Sequence, residues 1–477
     1  MIFHSLDFVA FFIVTLAAYW SLPMRPQNVL LLVASYIFYG WVHPWWPVLL
    51  LATTTIDYWS ARFIDERPAQ KKAWLWVSIV TNFGLLGFYK YFDFFVENVR
   101  VAGAAVGWEI PSLALRLVLP AGISFYTFQS MSYTIDVYRG HAPLRRRFVD
   151  VAAFVSFFPH LVAGPIMRAT NLLPQVEQPR RFDPAAARDA TVLIVWGLFK
   201  KLVIADNVGI VANKVFALEQ PEFFVLWAGV FAFAIQIYAD FSAYTDIARG
   251  VAKWFGFDLI KNFARPYLAA GPADFWHRWN ISLSTWFRDY VYIPLGGSRR
   301  GPVRVAINLM ITFLASGLWH GASWNYLLWG GYHGLWLVMT RAAGSVWSPS
   351  PAMRTWLRPL QVVLMFGLTC IGWLIFRETE LDHLIADLMR SPFETTTLGR
   401  ETGLYLVLLV FLYSLPLWIH DFWAEMRGPD LVEVLERVEV EPRWGRVAAQ
   451  AALCGVMFAA ILTLRSETAL NFIYFAF

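Results

Sequence analysis

Charged residues are scarce in this chain, and their scarcity excludes an ordinary soluble protein. Asp, Glu, Lys and Arg make up 15% of the 477 residues and apolar residues 58%, whereas a soluble domain carries roughly a quarter charged residues. Many apolar segments approach the roughly 20 residues that cross a bilayer as a helix. The short alternating strands of a transmembrane β-barrel are lacking. The sequence therefore predicts an all-α polytopic membrane protein.

Cysteine is also rare, as are the motifs of several enzyme classes. Cys370 and Cys454 lie in apolar segments and indicate neither a disulfide framework nor a zinc site. No two histidines have the spacing of a zinc-protease helix, so we expect no bound metal. The Gly-x-Ser-x-Gly turn of α/β-hydrolases and the phosphate-binding P-loop are both lacking. Hydrolase and ATPase functions therefore have no support in the sequence.

Basic residues are concentrated in short loops, although the net charge is only +5. Basic clusters within 62–72, 145–147 and 168–188 belong on the cytoplasmic side by the positive-inside rule. Membrane topology thus accounts for the positive charge, and nucleic acid is not an expected partner. We expect about eleven transmembrane helices, with additional re-entrant and amphipathic helices. They form one membrane-embedded domain over residues 1–477, with a core over 113–340.

Several segments depart from simple spans. Pro120 and Gly122 predict a broken or unwound helix, which a membrane protein tolerates where protein or a cavity satisfies the backbone. Residues 148–162 are apolar but short, so we expect them to re-enter the membrane. His160 either lines a cavity there or is an interfacial histidine with a local partner. Apolar residues at helical spacing within 421–446 predict an amphipathic helix on the membrane surface.

Charged residues inside apolar segments are candidates for function, because ionisable groups are costly in lipid. Lys200 and Lys201 lie in the middle of one apolar segment, and Asp240 and Asp246 follow the next. One interpretation is the substrate pathway of a transporter or flippase for acyl groups or glycans. The alternative is charge pairing of the carboxylates with the lysines or with Arg249. The sequence leaves both interpretations open.

Polar residues gather between positions 274 and 333. A helical wheel over 274–290 places polar side chains on one stripe and tryptophans opposite, which predicts one amphipathic helix on the cytoplasmic interface or along a cavity. An apolar helix is expected to follow from about Val303, with a polar residue at every fourth position. At about 1.5 Å per residue its last polar residue lies about 25 Å from its cytoplasmic start. These polar residues are Asn308, Thr312, Ser316 and His320.

A histidine at that depth is a candidate general base. Neutral imidazole can accept the proton of a hydroxyl group while the hydroxyl oxygen attacks an acyl carbon. The oxyanion that forms needs a hydrogen-bond donor, and the amide of Asn280 or Asn325 could supply one. The alternative is that His320 is a buried histidine satisfied by a backbone carbonyl. We expect contacts with substrate from Trp319, Ser316, Asn325, His333, Arg288, Asp289 and His277.

These motifs resemble the membrane-bound O-acyltransferase family, and within it the bacterial alginate O-acetyltransferase type. Residues 275–297 read FWHRWNISLSTWFRDYVYIPLGG, followed by GLWHGA at 317–322 and WGGYHG at 329–334. The similarity covers nearly the whole chain and includes the stretches LPAGISFYTFQSMSYTIDVYRG, FFPHLVAGPIMR and YADFSAYTDIARG.

The resemblance implies a helical bundle around a central tunnel and an acetyl transfer that uses His320, the histidine of the Trp-His-Gly triplet. It also implies a second polar site residue at Asn280. The alginate type usually has histidine at that position, whereas many animal members of the family have asparagine. Because asparagine is neither an acid nor a base, Asn280 fits an orienting or oxyanion-binding role. His277 could partly substitute for the missing histidine.

The resemblance further implies a multi-pass protein of the bacterial inner membrane. The expected acyl donor is cytoplasmic acetyl-CoA, a substrate rather than a bound cofactor, and the expected product is an O-acetylated exported polysaccharide such as alginate. Expected partners are membrane lipid, a periplasmic esterase-like protein of the SGNH type, and the polysaccharide synthesis and export machinery. The alternatives are the transporter described above and a D-alanyl transferase of the teichoic-acid type, which shares the fold but needs a carrier-protein donor.

Overall fold

Helices supply the regular secondary structure of this protein. The computed structural model describes residues 1–111, 114–115, 117–162, 164–346, 350–428, 444–468, 470 and 472–473, and no strand occurs in these ranges. The predicted all-α class is therefore confirmed for the part of the chain that is described.

The chain divides into two compact units. The first comprises residues 1–190 and 248–260. Helices confined to it are Leu6–Trp20, Met24–Gly40, Trp46–Glu66, Lys71–Leu86, Phe92–Ala105, Ile123–Arg139, Phe148–Ser156, Phe158–Leu161 and Ala169–Glu177. A π-helical turn, Gly87–Tyr91, joins Lys71–Leu86 to the next helix. The helices Pro184–Phe199 and Phe223–Trp254 each include residues of both units.

The second unit comprises residues 191–247 and 261–477. Its further helices are Asp206–Phe216, Pro272–Arg278, Ile281–Phe287, Gly301–His320, Trp324–Val346, Pro351–Arg377, Leu381–Leu388, Thr397–Arg427 and Trp444–Leu464. Two π-helical turns, Lys200–Ala205 and Arg288–Tyr292, lie beside the candidate functional residues. The expectation of one domain over 1–477 with a core over 113–340 stays a prediction.

Asp57 organises a buried polar core in the first unit. Its carboxylate accepts hydrogen bonds from the hydroxyl groups of Ser78, at 2.5 Å, and Ser130. The amide of Asn82 donates to both carboxylate oxygens, at 2.9 and 3.0 Å. All four side chains are buried, so the carboxylate is retained by hydrogen bonds from three neighbours, as a buried charge requires.

The predicted unwound backbone at Pro120 and Gly122 is present, but none of the described residues within 106–122 is helical, so a helix begins here rather than being broken. Gly122 has φ +77°, and Ile123–Arg139 begins directly after it. The apolar segment that follows forms two short buried helices, Phe148–Ser156 and Phe158–Leu161. Nine helical residues rise about 13.5 Å, less than half of the roughly 30 Å hydrocarbon core. Neither helix is long enough to cross a membrane, which agrees with the expected re-entry.

His160 has a local partner. The Gln129 amide nitrogen lies 2.8 Å from His160 Nε2 and also donates to the Phe154 carbonyl, at 2.7 Å. The amide oxygen of Gln129 accepts the backbone N–H of Met167, at 3.3 Å. These bonds hold the His160 ring by one nitrogen inside the first unit, so the structure favours the local partner over a role in lining a cavity.

Among the described residues, five helices are both long enough and apolar enough to cross a membrane: Phe223–Trp254, Gly301–His320, Thr355–Arg377, Thr397–Arg427 and Trp444–Leu464. Leu6–Trp20 is apolar but shorter. The structure therefore supports a multi-pass membrane protein and leaves the predicted count of about eleven spans unconfirmed.

The predicted amphipathic segment 421–446 is largely outside the described residues. Its first part, up to Arg427, belongs to the helix Thr397–Arg427, and Trp444 begins the last helix. Residues 429–443 lie outside the described ranges.

Candidate functional site

His320 is the last residue of the 20-residue helix Gly301–His320, which we call the histidine helix. Pro302 occupies its first turn, where a missing N–H costs no helical hydrogen bond. The predicted polar stripe is confirmed, because all four of its members are buried while apolar residues such as Ile307 and Ile311 are exposed. This inverted arrangement, with polar residues inward, is typical of a helix whose outer face meets lipid.

Glycines allow the histidine helix to pack closely against the helix Trp324–Val346. A Cβ atom on Gly317 would lie 2.1 Å from the carbonyl oxygen of Tyr326, and one on Gly330 would lie 2.2 Å from that of Phe313. Small residues at such positions let the backbones of two membrane helices touch. The position of His320 is thus fixed by contact between two backbones, three residues before the helix ends.

Aromatic rings enclose the His320 side chain, which is only 5% exposed. Its ring centroid lies 5.0 Å from Trp319, 4.9 Å from Trp329 and 5.2 Å from Phe376, each time edge-on. The indole N–H of Trp329 is buried and has no hydrogen-bond partner among the described residues. This surrounding keeps bulk water away from the imidazole and strengthens any electrostatic interaction that it makes.

His333 lies beside the same tryptophan. Its ring centroid is 4.9 Å from Trp329 and 5.1 Å from Trp276, and its ring is nearly parallel to that of Phe275 at 6.1 Å. The two buried histidines, His320 and His333, therefore share Trp329 as a common neighbour. Ser316 and Trp319, also predicted to contact substrate, are buried on the histidine helix.

Asn325 has a structural role as a hydrogen-bond donor to the end of a neighbouring helix. Its amide nitrogen donates to the carbonyl oxygens of Ile375, at 3.3 Å, and Phe376, at 3.0 Å. These carbonyls belong to the last turn of the helix Pro351–Arg377, where backbone acceptors lack partners within the helix. Asn325 thus fixes the position of Phe376 against His320, and its amide nitrogen is engaged in the structure.

The predicted single helix over 274–290 is wrong. The structure has two short helices, Pro272–Arg278 and Ile281–Phe287, and Asn280 between them adopts φ +40° and ψ +57°. Asparagine tolerates this left-handed conformation better than most residues, at a cost of roughly 1–2 kcal/mol. The helical-wheel prediction was wrong because one residue with a left-handed backbone conformation changes the direction of the chain after it.

The break buries Asn280, which is 1% exposed. Neither its amide nitrogen nor its amide oxygen has a hydrogen-bond partner among the described residues. Leaving a buried amide unpaired costs about 1–3 kcal/mol for each group. Such a residue is retained where a ligand or water supplies the missing bonds, so Asn280 is suited to hold a polar group of a substrate.

A continuous set of aromatic contacts connects the neighbour of Asn280 to His320. Trp279 lies 4.8 Å from Trp373, Trp373 lies 5.7 Å from Phe376, and Phe376 lies 5.2 Å from His320. The Trp373 indole donates to the hydroxyl group of Tyr267, at 3.1 Å, which adds a polar anchor. Trp279, the residue before Asn280, and His320 thus belong to one packed aromatic region of the second unit.

Three other predicted substrate contacts lie apart from this buried region. His277 is exposed, and so is Arg288. Arg288 pairs with its neighbour Asp289 at 2.8 Å, and the side chains are 56% and 32% exposed. His277 lies on the helix before the break at Asn280, and Arg288 and Asp289 lie on the π-helical turn after Phe287. As placed here, they suit a surface role better than contact with a buried acyl group.

The charges inside the apolar segments pair with one another, as one of the two interpretations predicted. Lys200 lies 2.7 Å from Asp246. Lys201 lies 2.9 Å from Asp206 and 3.0 Å from Asp240, and these three side chains are nearly inaccessible. Asp206 was not among the predicted candidates, although it follows Lys201 by little more than one helical turn.

The last described residues pack against this buried group of charges. Lys201 donates to the carbonyl of Leu470 at 3.0 Å, and the backbone N–H of Ile473 donates to Asp240 at 2.7 Å. Phe472 packs on Tyr244 with a centroid distance of 4.0 Å. The charges that suggested a transport pathway therefore anchor a chain segment.

An arginine cluster stabilises the start of the broken region. Glu425 accepts hydrogen bonds from Arg265 at 2.9 Å, from Arg278 at 2.9 and 3.2 Å, and from Arg358. Arg278 also donates to Asp274 at 2.7 Å. Partial burial lowers the pKa of Arg278, but the bonds to Glu425 and Asp274 outweigh burial and raise it. Arg278, two residues before Asn280, is thus held as a charged anchor.

In the described part of the chain, no three or more His, Cys, Asp or Glu side chains are grouped so as to hold a metal ion. The candidate site contains a histidine, an asparagine and aromatic rings. Side chains of these kinds can transfer protons and donate hydrogen bonds.

Comparison with known proteins identifies the family. Residues 141–376 match the membrane-bound O-acyltransferase family, MBOAT. The chain is also 37% identical to probable alginate O-acetylase AlgI of Pseudomonas putida over the full length of both proteins. This chain belongs to the membrane-bound O-acyltransferase family. The resemblance inferred from the motifs is thereby confirmed, and the protein is an O-acyltransferase.

Other members of the family are similar over much of the chain. The peptidoglycan O-acetyltransferase of Helicobacter pylori is 34% identical, with 80% of this chain and 76% of the relative aligned. The teichoic acid D-alanyltransferase of Bacillus subtilis is 25% identical, with 56% of this chain and 71% of the relative aligned. The matched family region, 141–376, contains Asn280, His320 and His333.

Proposed function

We propose that this protein is a polysaccharide O-acetyltransferase of the bacterial inner membrane that uses acetyl-CoA as donor. The observation that carries the proposal is a buried histidine, enclosed by aromatic rings, at the end of a helix that is long and apolar enough to cross a membrane, in an O-acyltransferase. The full-length relative in Pseudomonas putida is named an alginate O-acetylase. Alginate or a similar exported polymer is accordingly the proposed product.

His320 is the proposed general base. Its neutral ring takes the proton from an acceptor hydroxyl while the hydroxyl oxygen attacks the acetyl carbonyl carbon. A carbon–oxygen bond forms, the carbon–sulfur bond of the thioester breaks, and the thiolate of CoA leaves and is then protonated. Enclosure by aromatic rings supports this role because water is kept from competing with the acceptor hydroxyl.

Asn280 is the proposed partner for the negative charge. Attack on the carbonyl places charge on its oxygen, and a preorganised amide N–H aimed at that oxygen lowers the barrier. Removing one such donor typically costs about 10²–10³ in rate. The unpaired and buried amide of Asn280 supports this role, because the missing hydrogen bond would be completed by the substrate.

The histidine helix suggests how donor and acceptor meet. Its 20 residues span about 30 Å, with exposed Arg299, Arg300 and Arg304 at the opposite end from His320. Basic residues favour the cytoplasmic side. We therefore propose that the donor enters from the cytoplasm through a tunnel and that the acceptor reaches His320 from the other face. In this proposal a periplasmic SGNH-type esterase-like protein and the polysaccharide synthesis and export machinery act with it.

The decisive experiment replaces His320 with alanine and measures the O-acetyl content of the exported polymer at matched protein levels. We expect acetylation to disappear. His383→Ala is the matched control, because His383 is an exposed histidine on the short helix Leu381–Leu388 of the same unit, and it should retain acetylation. Undiminished acetylation in the His320→Ala strain would refute the catalytic assignment.

A second assay separates the proposed function from its two alternatives. Purified protein with labelled acetyl-CoA and an acceptor should release free CoA in proportion to the acetyl groups transferred. A D-alanyl transferase, as in the Bacillus subtilis relative, would require an aminoacylated carrier protein and ignore acetyl-CoA. A transporter would move the label without cleaving the thioester. That alternative lost its motivation when its charged residues proved to be paired.

A further inference from the structure

Asn262 contacts the helix break that positions Asn280. The backbone carbonyl oxygen of Asn262 accepts the N–H of Ile281 at 2.9 Å. Its side-chain oxygen accepts the N–H of Ser282 at 3.1 Å. Asn262 is 1% exposed, so these bonds form away from water. One residue thus satisfies the first two backbone donors that follow Asn280.

These bonds replace those that the break removes. In an uninterrupted α-helix, the N–H of Ile281 would donate to the carbonyl of His277, and that of Ser282 to the carbonyl of Arg278. The structure instead gives both donors to Asn262. The carbonyl of Arg278, freed by the break, accepts the N–H of Ala264 at 2.9 Å. Residues 262–264 therefore compensate on both sides of Asn280.

The compensation matters because the local sequence favours a continuous helix. Amphipathic spacing persists through 274–290, and a left-handed asparagine within it is unfavourable. A buried N–H without an acceptor would also be unfavourable. Without the side-chain acceptor on Asn262, the helix N–H groups are expected to return to helical partners. Asn280 would then leave its left-handed conformation and its amide would move.

We propose that Asn262 is a positioning residue for acyl transfer, which holds the break and thereby the amide of Asn280. The inference rests on the proposed function of Asn280. Asn262 acts through the peptide N–H groups that it binds and needs no contact with the substrate.

Four variants of the full-length purified protein test this role: Asn262→Ala, Asn262→Asp, Asn280→Ala and Asn262→Ala combined with Asn280→Ala. Alanine removes the acceptor for Ser282, whereas aspartate retains an acceptor oxygen in the same place. In an assay of CoA release from acetyl-CoA, we expect alanine to lower kcat about tenfold while KM for acetyl-CoA stays within about twofold. Aspartate should retain most of the rate.

The combined variant shows whether Asn262 acts through Asn280. Because residues that act as a unit are not additive, Asn262→Ala should have no further effect once Asn280 is alanine. An equal loss of kcat with and without the Asn280 amide would overturn the proposal. An Asn262→Asp protein that has wild-type thermal stability but has lost the rate would overturn it as well.

Hydrogen exchange provides a readout that needs no activity. Peptides covering residues 280–284 should exchange about tenfold faster in Asn262→Ala and at the wild-type rate in Asn262→Asp. Unchanged exchange in the alanine variant would show that Asn262 does not hold the break. If His320→Ala still transferred acetyl groups, the proposed function would fail, whereas the exchange experiment would decide the role of Asn262 separately.

Discussion

Replacing Lys201 with methionine should strongly destabilise the second unit. Lys201 lies 2.9 Å from Asp206 and 3.0 Å from Asp240, and none of the three side chains is more than 2% exposed. Methionine has a similar length but no charge, so two carboxylates would remain buried without a cation. Removing one partner of a buried ion pair typically costs about 3–5 kcal/mol. We expect a loss in that range.

The charge-free version of the same site separates charge from packing. The triple variant Lys201→Met, Asp206→Asn and Asp240→Asn removes every buried charge at once. Replacing a whole buried ion cluster by neutral groups is often nearly neutral for stability. We therefore expect the triple variant to recover most of what the single variant loses.

Equilibrium unfolding in mixed detergent micelles measures both effects. Lys214→Met is the control, because Lys214 is exposed on the helix Asp206–Phe216, and it should change the free energy of unfolding by less than about 0.5 kcal/mol. Limited proteolysis should also show earlier cleavage after residue 464 in Lys201→Met, since the bond to the Leu470 carbonyl is lost. A Lys201→Met protein within about 1 kcal/mol of wild type would refute the reasoning.

Three further substitutions test the packing around the site and the core of the first unit. Gly317→Ala places a methyl group 2.1 Å from the carbonyl oxygen of Tyr326, so we expect about 1–3 kcal/mol of destabilisation and a loss of acetyl transfer measured by CoA release. Asn325→Ala removes the bonds to the end of the helix Pro351–Arg377; it should cost about 1–3 kcal/mol in unfolding experiments. Asp57→Ala leaves three buried side-chain donors without their acceptor and should reduce the amount of folded protein in membranes by at least about tenfold.

Matched controls exist for two of these changes. Gly344 lies on the same helix as Tyr326 with open space around it, so Gly344→Ala should be harmless. Asp65 is exposed on the same helix as Asp57, and Asp65→Ala should leave protein levels unchanged. Wild-type transfer by Gly317→Ala would contradict close backbone packing as the feature that positions His320. An Asn325→Ala protein as stable as wild type would contradict the capping role.

The sequence predicted the elements whose character depends on nearby residues. Its apolar content and the stripe ending at His320 predicted a membrane protein and a helix with a buried polar face, because both follow from composition and helical spacing. The unwound backbone at Pro120 and Gly122 was predictable for the same reason, since proline and glycine act on the backbone where they stand. The motifs around Trp319 and His320 by themselves indicate the O-acyltransferase family.

The structure of residues 274–290 could not be predicted from their helical spacing. The helical wheel assumed that the backbone stays right-handed, whereas Asn280 adopts a left-handed conformation. The acceptors that compensate for the break come from Asn262, and no spacing rule within the segment could indicate them. The same limit applies to His277, which the wheel placed beside Asn280 and the structure places on the surface.

Only the tertiary structure decided which polar side chains have hydrogen-bond partners within the protein and which do not. Asn280 and Asn325 were equivalent in the sequence as amide donors, yet Asn325 binds two helix-end carbonyls while Asn280 has a buried amide without a partner. Likewise, only the folded structure shows that Lys201 forms ion pairs with Asp206 and Asp240. Spacing determines which face of a helix a side chain occupies, but its partners come from distant segments, and only the fold brings those segments together.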